Sequence, residues 1–132
     1  MVNVHTGRVG RYITTRLPGQ KYPGAYPNAL ALSGDGLTLY VANAAGDNVA
    51  IIDLRHGSKP RGFIPTEWYP TALALRPGEL LVATAKGLGT SPNSVPLQPG
   101  QDPRTSHPYI ATLLHGSLAR IKTTGLFAHC PH

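Results

Sequence analysis

Three side chains able to bind a metal stand within four residues near the end of the sequence, in the stretch HCPH. His129, Cys130 and His132 offer imidazole nitrogens and a thiolate sulfur, the donors that zinc prefers. A structural zinc site needs a fourth donor at a matching spacing, and no second ligand pair occurs. His107 and His115 are better explained as surface histidines beside an apolar run. We therefore expect no metal site.

Acidic and hydroxyl side chains give no catalytic pattern. Asp35 lies in the turn Gly34-Asp35-Gly36, and Asp53 lies where an apolar run ends, so both are expected to cap local backbone groups. No serine has the G-x-S-x-G context of a nucleophile elbow, and no P-loop, GxGxxG or HExxH pattern occurs. We expect no catalytic residue and no cofactor.

Four residues remain as binding candidates: Trp68, Tyr69, Lys86 and Asn93. The aromatic pair could hold a ligand with its ring faces, although packing between two structural units is the favoured explanation for it. A proline-rich segment, 87–116, lacks any strand pattern. A long segment of this kind inside a compact unit is usually either functional or without fixed structure, and both interpretations stay open.

Composition favours a chain with many turns and short strands. Of 132 residues, 41% are hydrophobic, which is enough for a core, while 15 glycines and 13 prolines argue against long helices. The single cysteine allows no internal disulfide, and no run of eighteen apolar residues predicts a transmembrane helix. The N-terminal residues do not form the pattern of a secretory signal.

The net charge of +6 and the pI near 9.8 raise the possibility of an anionic partner such as nucleic acid. The segment 26–85 is close to neutral, and the positive excess lies in the flanks without a dense basic run. Aromatic residues are not interleaved with the cations. A mildly basic, solvated surface is therefore expected, without nucleic-acid binding.

An internal repeat dominates the sequence. The phrase YPNALAL begins at Tyr26, and YPTALAL begins 43 residues later at Tyr69; beyond a shortened turn the matching offset becomes 41. Self-similarity at about forty residues is typical of stacked supersecondary units. The first copy predicts strands over 28–33, 37–42, 49–54 and 62–66. In the second copy, Pro77 and Gly78 suit a type II turn.

Four short strands in about forty residues are typical of a β-propeller blade, with a β-sandwich as the alternative. The motif Tyr40-Val41-Ala42-Asn43 and its degraded copy at 81–84 resemble the YVTN β-propeller repeat family. The resemblance implies an all-β propeller fragment of about two four-stranded antiparallel blades. The implied boundaries are the end of a preceding blade at 1–25, a complete blade at 26–68, and a second blade at 69–132 with the insertion 87–116 and an atypical tail.

The phrases Trp68-Tyr69-Pro70 and Lys86-Gly87-Leu88-Gly89 are similar to a bacterial subgroup in which the propeller is often followed by an alkaline-phosphatase-like domain. The few aspartates of this chain do not supply that domain's metal ligands. The resemblance implies a non-catalytic scaffold that binds a protein partner or neighbouring domain, with self-association through exposed blade edges. The alternative is an accessory part of a phosphoesterase. Either parent protein is expected in the periplasm or outside the cell.

Overall fold

The computed structural model describes residues 1–21, 24–88, 90, 97–102, 105 and 113–126. Within them the chain forms two antiparallel sheets, and a short 3-10 helix spans Ala44–Gly46. The strands are β1 (Pro27–Leu32), β2 (Thr38–Asn43), β3 (Asn48–Asp53), β4 (Gly62–Pro65), β5 (Pro70–Arg76), β6 (Glu79–Thr84) and β7 (Ser117–Lys122). The all-β prediction is confirmed. None of the described helical residues forms a segment that could span a bilayer.

The first sheet is a four-stranded meander in the order β1-β2-β3-β4. Its strands agree with the four predicted ones to within one residue at each end. The β1–β2 turn is fixed by Asp35, whose Oδ1 accepts hydrogen bonds from the Ser33 hydroxyl at 2.5 Å and the Leu37 N–H at 2.9 Å. This confirms the structural role expected for Asp35. Gly36 provides the left-handed position of the turn, with φ 72°.

The second sheet has three strands in the order β5-β6-β7. Arg76 pairs with Glu79 across a two-residue turn in which Gly78 has φ 77°, as a type II turn requires. β7 follows the proline-rich segment and pairs with β6 along its whole length. Strands distant in the sequence therefore meet in this sheet, whereas the first sheet joins neighbours only.

The opening hairpins of the two sheets have the same register. Pro27 pairs with Asn43, and Pro70 with Thr84; each pairing is followed by an irregularity and then by an Ala–Ala pair. The residue before each hairpin is a tyrosine with positive φ, 47° for Tyr26 and 61° for Tyr69. The two copies of the repeated phrase thus fold into matching local structures.

One hydrophobic cluster joins the two sheets. It contains Tyr40, Val49 and Ile51 from the first sheet and Leu80 and Val82 from the second, all buried. Alternate residues of a strand point to opposite faces, so Val49 and Ile51 enter this cluster while Ala50 and Ile52 enter another. Face-to-face packing of the sheets therefore forms the main core.

The other face of the first sheet is partly covered by the N-terminal segment, 1–21. Ile13 packs there against the second cluster, formed by Val41, Ala50 and Ile52. The Thr14 N–H donates to the Ser58 carbonyl at 3.0 Å, which joins the segment to the β3–β4 connection. Nearer the start, Val2 and Val9 form one isolated bridge around a turn. The segment contributes no strand to either sheet.

The alanines of the two opening hairpins have different environments in the two sheets. Ala31 packs on the main core, where Leu73 and Leu75 of the second sheet also lie. Ala72 and Ala74 of the second sheet are exposed instead. The face of the first sheet that carries Ala31 therefore packs against the face of the second sheet that carries Leu73 and Leu75. The opposite face of the second sheet, with Ala72 and Ala74, is open.

Candidate functional site

A cavity of about 270 Å³ lies where the chain passes from the first sheet to the second. We call it the junction cavity. It is lined by Thr66, Glu67, Trp68, Lys86, Gly87, Leu88 and Thr90. One wall comes from the connection between β4 and β5, and the other comes from the residues that follow β6. The cavity therefore depends on both sheets and on the start of the proline-rich segment.

Asp47, in the turn between β2 and β3, makes two hydrogen bonds to the β4–β5 wall. Asp47 accepts the Thr66 N–H through its carbonyl oxygen and the Tyr69 N–H through Oδ1, both at 2.9 Å. Asp47 has φ 49°, a left-handed conformation that aspartate tolerates better than bulkier residues do. The two bonds bracket Glu67 and Trp68, and thereby fix the backbone that carries both side chains.

The opposite wall is hydrogen-bonded to the first wall and to His115, which lies two residues before β7. The Lys86 N–H donates to the Trp68 carbonyl at 3.2 Å. The Gly87 N–H donates to the His115 carbonyl at 2.5 Å. Thr90 and His115 exchange two further bonds, from the His115 N–H to the Thr90 hydroxyl at 3.0 Å and from that hydroxyl to the His115 carbonyl at 3.2 Å. These contacts close the base of the segment 87–116 beside the cavity.

Glu67 carries an unpartnered buried oxygen. Its Oε2 is out of contact with solvent, and no described residue donates a hydrogen bond to it. Gly87 makes room for this carboxylate, because a Cβ at Gly87 would lie 2.7 Å from Oε2 and 3.1 Å from the Ser117 Cβ. A buried carboxylate oxygen without a donor is uncommon in folded proteins and requires an explanation.

The structure brings two of the predicted binding residues together. Trp68 and the half-buried Lys86 both line the junction cavity, and Tyr69 follows directly on Trp68 without lining it. The expectation that the aromatic pair packs between the sheets is wrong, because Trp68 is 58% exposed and Tyr69 is 43% exposed. Asn93 lies outside the described residues.

Two further residues of the site were not predicted. Glu67 and Asp47 both depend on contacts between segments about twenty residues apart, which the sequence pattern does not reveal. The sequence feature that could have indicated Glu67 is its position directly before the aromatic pair Trp68 and Tyr69. Asp47 follows Gly46, the last residue of the 3-10 helix; this context indicates a turn residue and does not reveal its contact with Tyr69.

Asp53 has the capping role that was predicted for it. Its Oδ1 accepts the Arg55 N–H at 2.9 Å, and its carboxylate also binds the Arg55 guanidinium at 3.0 and 3.1 Å. The Arg55 side chain first, and then the Arg55 N–H, hold the pKa of Asp53 well below its ordinary value. The Ser33 hydroxyl likewise lowers the pKa of Asp35. Carboxyl groups with a lowered pKa are poor candidates for general acids near neutral pH.

Within the described part of the chain, no three His, Cys, Asp or Glu side chains gather as metal ligands would. His107, His129, Cys130 and His132 lie outside that part. His115 is exposed, as expected of a surface histidine, and its contacts with Thr90 use only backbone atoms.

The chemistry available in the junction cavity is that of binding. The Thr66 hydroxyl donates to the Glu67 carbonyl, and the Thr90 hydroxyl donates to the His115 carbonyl, so neither is paired with a base that could activate it. The described lining offers one carboxylate, one ammonium and one indole ring. Neither a protein-family model nor a curated protein matches this chain.

Proposed function

We propose that this chain is a segment of a YVTN-type β-propeller, about two blades long, that acts as a non-catalytic binding scaffold. The observation that supports the proposal is the shared register of the hairpins β1–β2 and β5–β6, together with the stacking of their sheets. A propeller is built from such four-stranded meanders, each packed on the next. In this interpretation β4 completes the first blade, and β7 is the third strand of the second.

Open apolar faces at both ends of the stack agree with this function. Leu30 and Leu32 of the first sheet are 66% and 54% exposed, beside a cleft of about 730 Å³ under the N-terminal segment. On the second sheet, Leu118 is 66% exposed. Stacked repeat units need neighbours on both sides to bury their faces. We propose that further blades, a neighbouring domain or other copies of the chain cover these faces.

The second candidate is an accessory propeller of a bacterial phosphoesterase. The observation that favours it is that the two phrases which resemble that subgroup meet at one place, because Trp68 and Lys86 line the same cavity. In that function the chain shapes access to an active site on another domain. Coding sequence downstream of this chain that specifies clustered Asp and His metal ligands would favour this candidate over the scaffold.

Light scattering during size-exclusion chromatography, over a series of protein concentrations, tests the scaffold proposal. We expect masses that are multiples of 14.0 kDa and increase with concentration. Leu30→Glu and Leu118→Glu place a charge on each open face and should shift the distribution toward monomer. Lys59→Glu changes an exposed charge elsewhere and serves as the control. A monomer at all concentrations, with a sharp and concentration-independent unfolding transition, would contradict the proposal.

A further inference from the structure

Within the described residues, the outer edge of β7 carries no strand, although the matching edge of the first sheet does. β3 pairs with β2 on one side and with β4 on the other, whereas β7 pairs with β6. An edge strand presents a row of backbone N–H and C=O groups to an extended chain that reaches it. The β7 edge, the outer side of Ser117–Lys122, is therefore a place where another strand can add.

The registers of the two sheets identify the residues of β7 that correspond to those of β3. Ser117 begins β7 as Asn48 begins β3, and each pairs with the last residue of the preceding strand. Ala119 therefore corresponds to Ala50. In the first sheet, Phe63 of β4 pairs with Ala50 and packs against its cluster, and Ala50 is fully buried. Ala119 is exposed, so a strand on the β7 edge would cover it as β4 covers Ala50.

A cleft of about 490 Å³ lies beside the β7 edge and is lined mostly by apolar groups. Its lining includes Ile64 of β4 together with Ala119 and Ile121 of β7. Both isoleucines also pack on the main core. A residue opposite Ala119 in an added strand points to the same face as Ala119. A large apolar side chain at that position would therefore enter the cleft and extend the main core to the edge of the second sheet.

Positive charge predominates on the other face of the second sheet, next to the same edge. Glu79 forms ion pairs with Arg76 at 3.1 Å and with Arg120 at 2.9 Å. Lys122 is the cross-strand partner of Glu79, so one carboxylate stands among three cations. Opposite charges that face each other across strands are stabilising. An acidic residue opposite Arg120 in an added strand would complement this surface.

We propose that the β7 edge binds an extended segment of a protein partner in which an acidic residue is followed by a large apolar residue. The segment adds antiparallel to β7 as a fourth strand, with the acidic residue opposite Arg120 and the apolar residue opposite Ala119. The inference rests on the proposed function as a binding scaffold and names the chemistry of its partner. In strand addition, backbone hydrogen bonds provide affinity and side-chain pockets provide specificity.

The β4 sequence supplies the probe, a capped and fluorescently labelled peptide of residues 61–66, RGFIPT. The N–H groups at both ends of this stretch donate to carbonyls of the first sheet, at 2.7 and 2.9 Å. We expect a saturable rise in anisotropy when the protein is added. Gly62→Glu in the peptide places a carboxylate opposite Arg120 and should tighten binding about two- to fivefold. Phe63→Ala in the peptide leaves the cleft unfilled and should weaken binding about tenfold or more.

N-methylation of the peptide separates strand addition from simple apolar contact. In the folded chain the Thr66 N–H donates to the Asp47 carbonyl, next to β3. Because N–H directions alternate along a strand, the Ile64 N–H faces the same way and the Phe63 N–H faces the opposite way. An N-methyl group on Ile64 should weaken binding about tenfold or more, whereas one on Phe63 should change it by less than about twofold.

Two protein variants test the cleft and the charge. Ala119→Leu fills the cleft and should weaken binding of the Gly62→Glu peptide about tenfold or more. Ala74→Leu, on the exposed face of β5, is its control and should not. Arg120→Gln should remove the preference for the Gly62→Glu peptide over the parent peptide. Arg16→Gln changes an exposed arginine of the N-terminal segment and should retain that preference. Circular dichroism checks that each variant keeps its β-sheet.

No saturable binding of either peptide to the wild-type protein would overturn the inference. Equal affinities for the parent peptide and its form N-methylated at Ile64 would also overturn it. If neither peptide binds but Ala119→Leu lowers the mass of the associated protein, the edge belongs to a second copy of the chain and the inference is wrong. The association of the open faces at Leu30 and Leu118, measured by light scattering, tests the scaffold function separately.

Discussion

The Asp47 carboxylate accepts a hydrogen bond from the Tyr69 N–H at 2.9 Å and so joins the two sheets through polar atoms. Asp47 lies in the turn between β2 and β3, and Tyr69 directly precedes β5. Both residues are in left-handed conformations, with φ 49° and 61°. Because this bond joins two residues with strained backbones, it helps to fix the position of β5 relative to the first sheet.

Substitutions of Asp47 should separate the hydrogen bond from the backbone strain. Asp47→Asn keeps an acceptor and tolerates a left-handed φ, so it should be close to wild type. Asp47→Gly relieves the strain but removes the acceptor. Asp47→Ala also removes the acceptor and keeps the strain. We expect Asp47→Ala to lose about 1–3 kcal/mol in the free energy of unfolding, with Asp47→Gly in between. Urea unfolding measures the order of stability of the three variants. Equal losses of unfolding free energy for Asp47→Asn and Asp47→Ala would contradict the prediction.

The buried pair Asn43 and Asn48 should be a second sensitive point. The Asn43 side-chain amide donates to Asn48 Oδ1 at 2.9 Å and to the Thr15 carbonyl at 2.8 Å. Asn43→Ala leaves both acceptors without this donor and should cost about 1–3 kcal/mol. It should also accelerate proteolysis of the N-terminal segment, which Asn43 anchors. Asn28→Ala, an exposed control, should change neither stability nor cleavage.

The lowered pKa of Asp53 predicts that the folded chain loses stability in acid. Its pKa is lowered in the folded chain by the Arg55 side chain and N–H, so the unfolded chain binds the proton more readily. The stabilisation is therefore present above the ordinary value of 3.8 and decreases as the pH falls toward the lowered pKa. Asp53→Asn should have a lower Tm than wild type at pH 6, and the gap should close below about pH 4. Parallel Tm curves from pH 2 to 7 would contradict this assignment.

The strands of the first sheet could be predicted because local signals coincide there. Val49 and Ile51 alternate with Ala50 and Ile52, and turn residues bound each run. The same alternation separates the two faces, since a strand buried on both sides places successive residues in different clusters. Local pattern alone does not separate a propeller from a sandwich, because both stack sheets of this kind.

The polar contacts of the second sheet could not be predicted in the same way. Thr84 and Ser117 occupy the pairing position that Asn43 and Asn48 occupy in the first sheet, and their hydroxyls lie 2.7 Å apart. The insertion between Thr84 and Ser117 removes the fixed spacing on which the repeat was recognised. Glu67 and Gly87 also meet across twenty residues, so the unpartnered carboxylate emerges only from the folded chain.

Leu80 should be the most sensitive position for coupling between the sheets. Its side chain is fully buried in the cluster shared with Tyr40, Val49 and Ile51 of the first sheet. Leu80→Ala opens a cavity at this contact and should cost about 3–5 kcal/mol, a large fraction of the stability of a small domain.

Leu118→Ala is the matched control, because Leu118 is in the same sheet but 66% exposed. It should change the stability by less than about 0.5 kcal/mol at concentrations where the chain is monomeric. Chemical denaturation of both variants measures the difference. If the two losses are equal, the second sheet does not depend on its packing against the first. If Leu80→Ala alone unfolds readily, the two sheets form one cooperative unit whose stability depends on the contact between their faces.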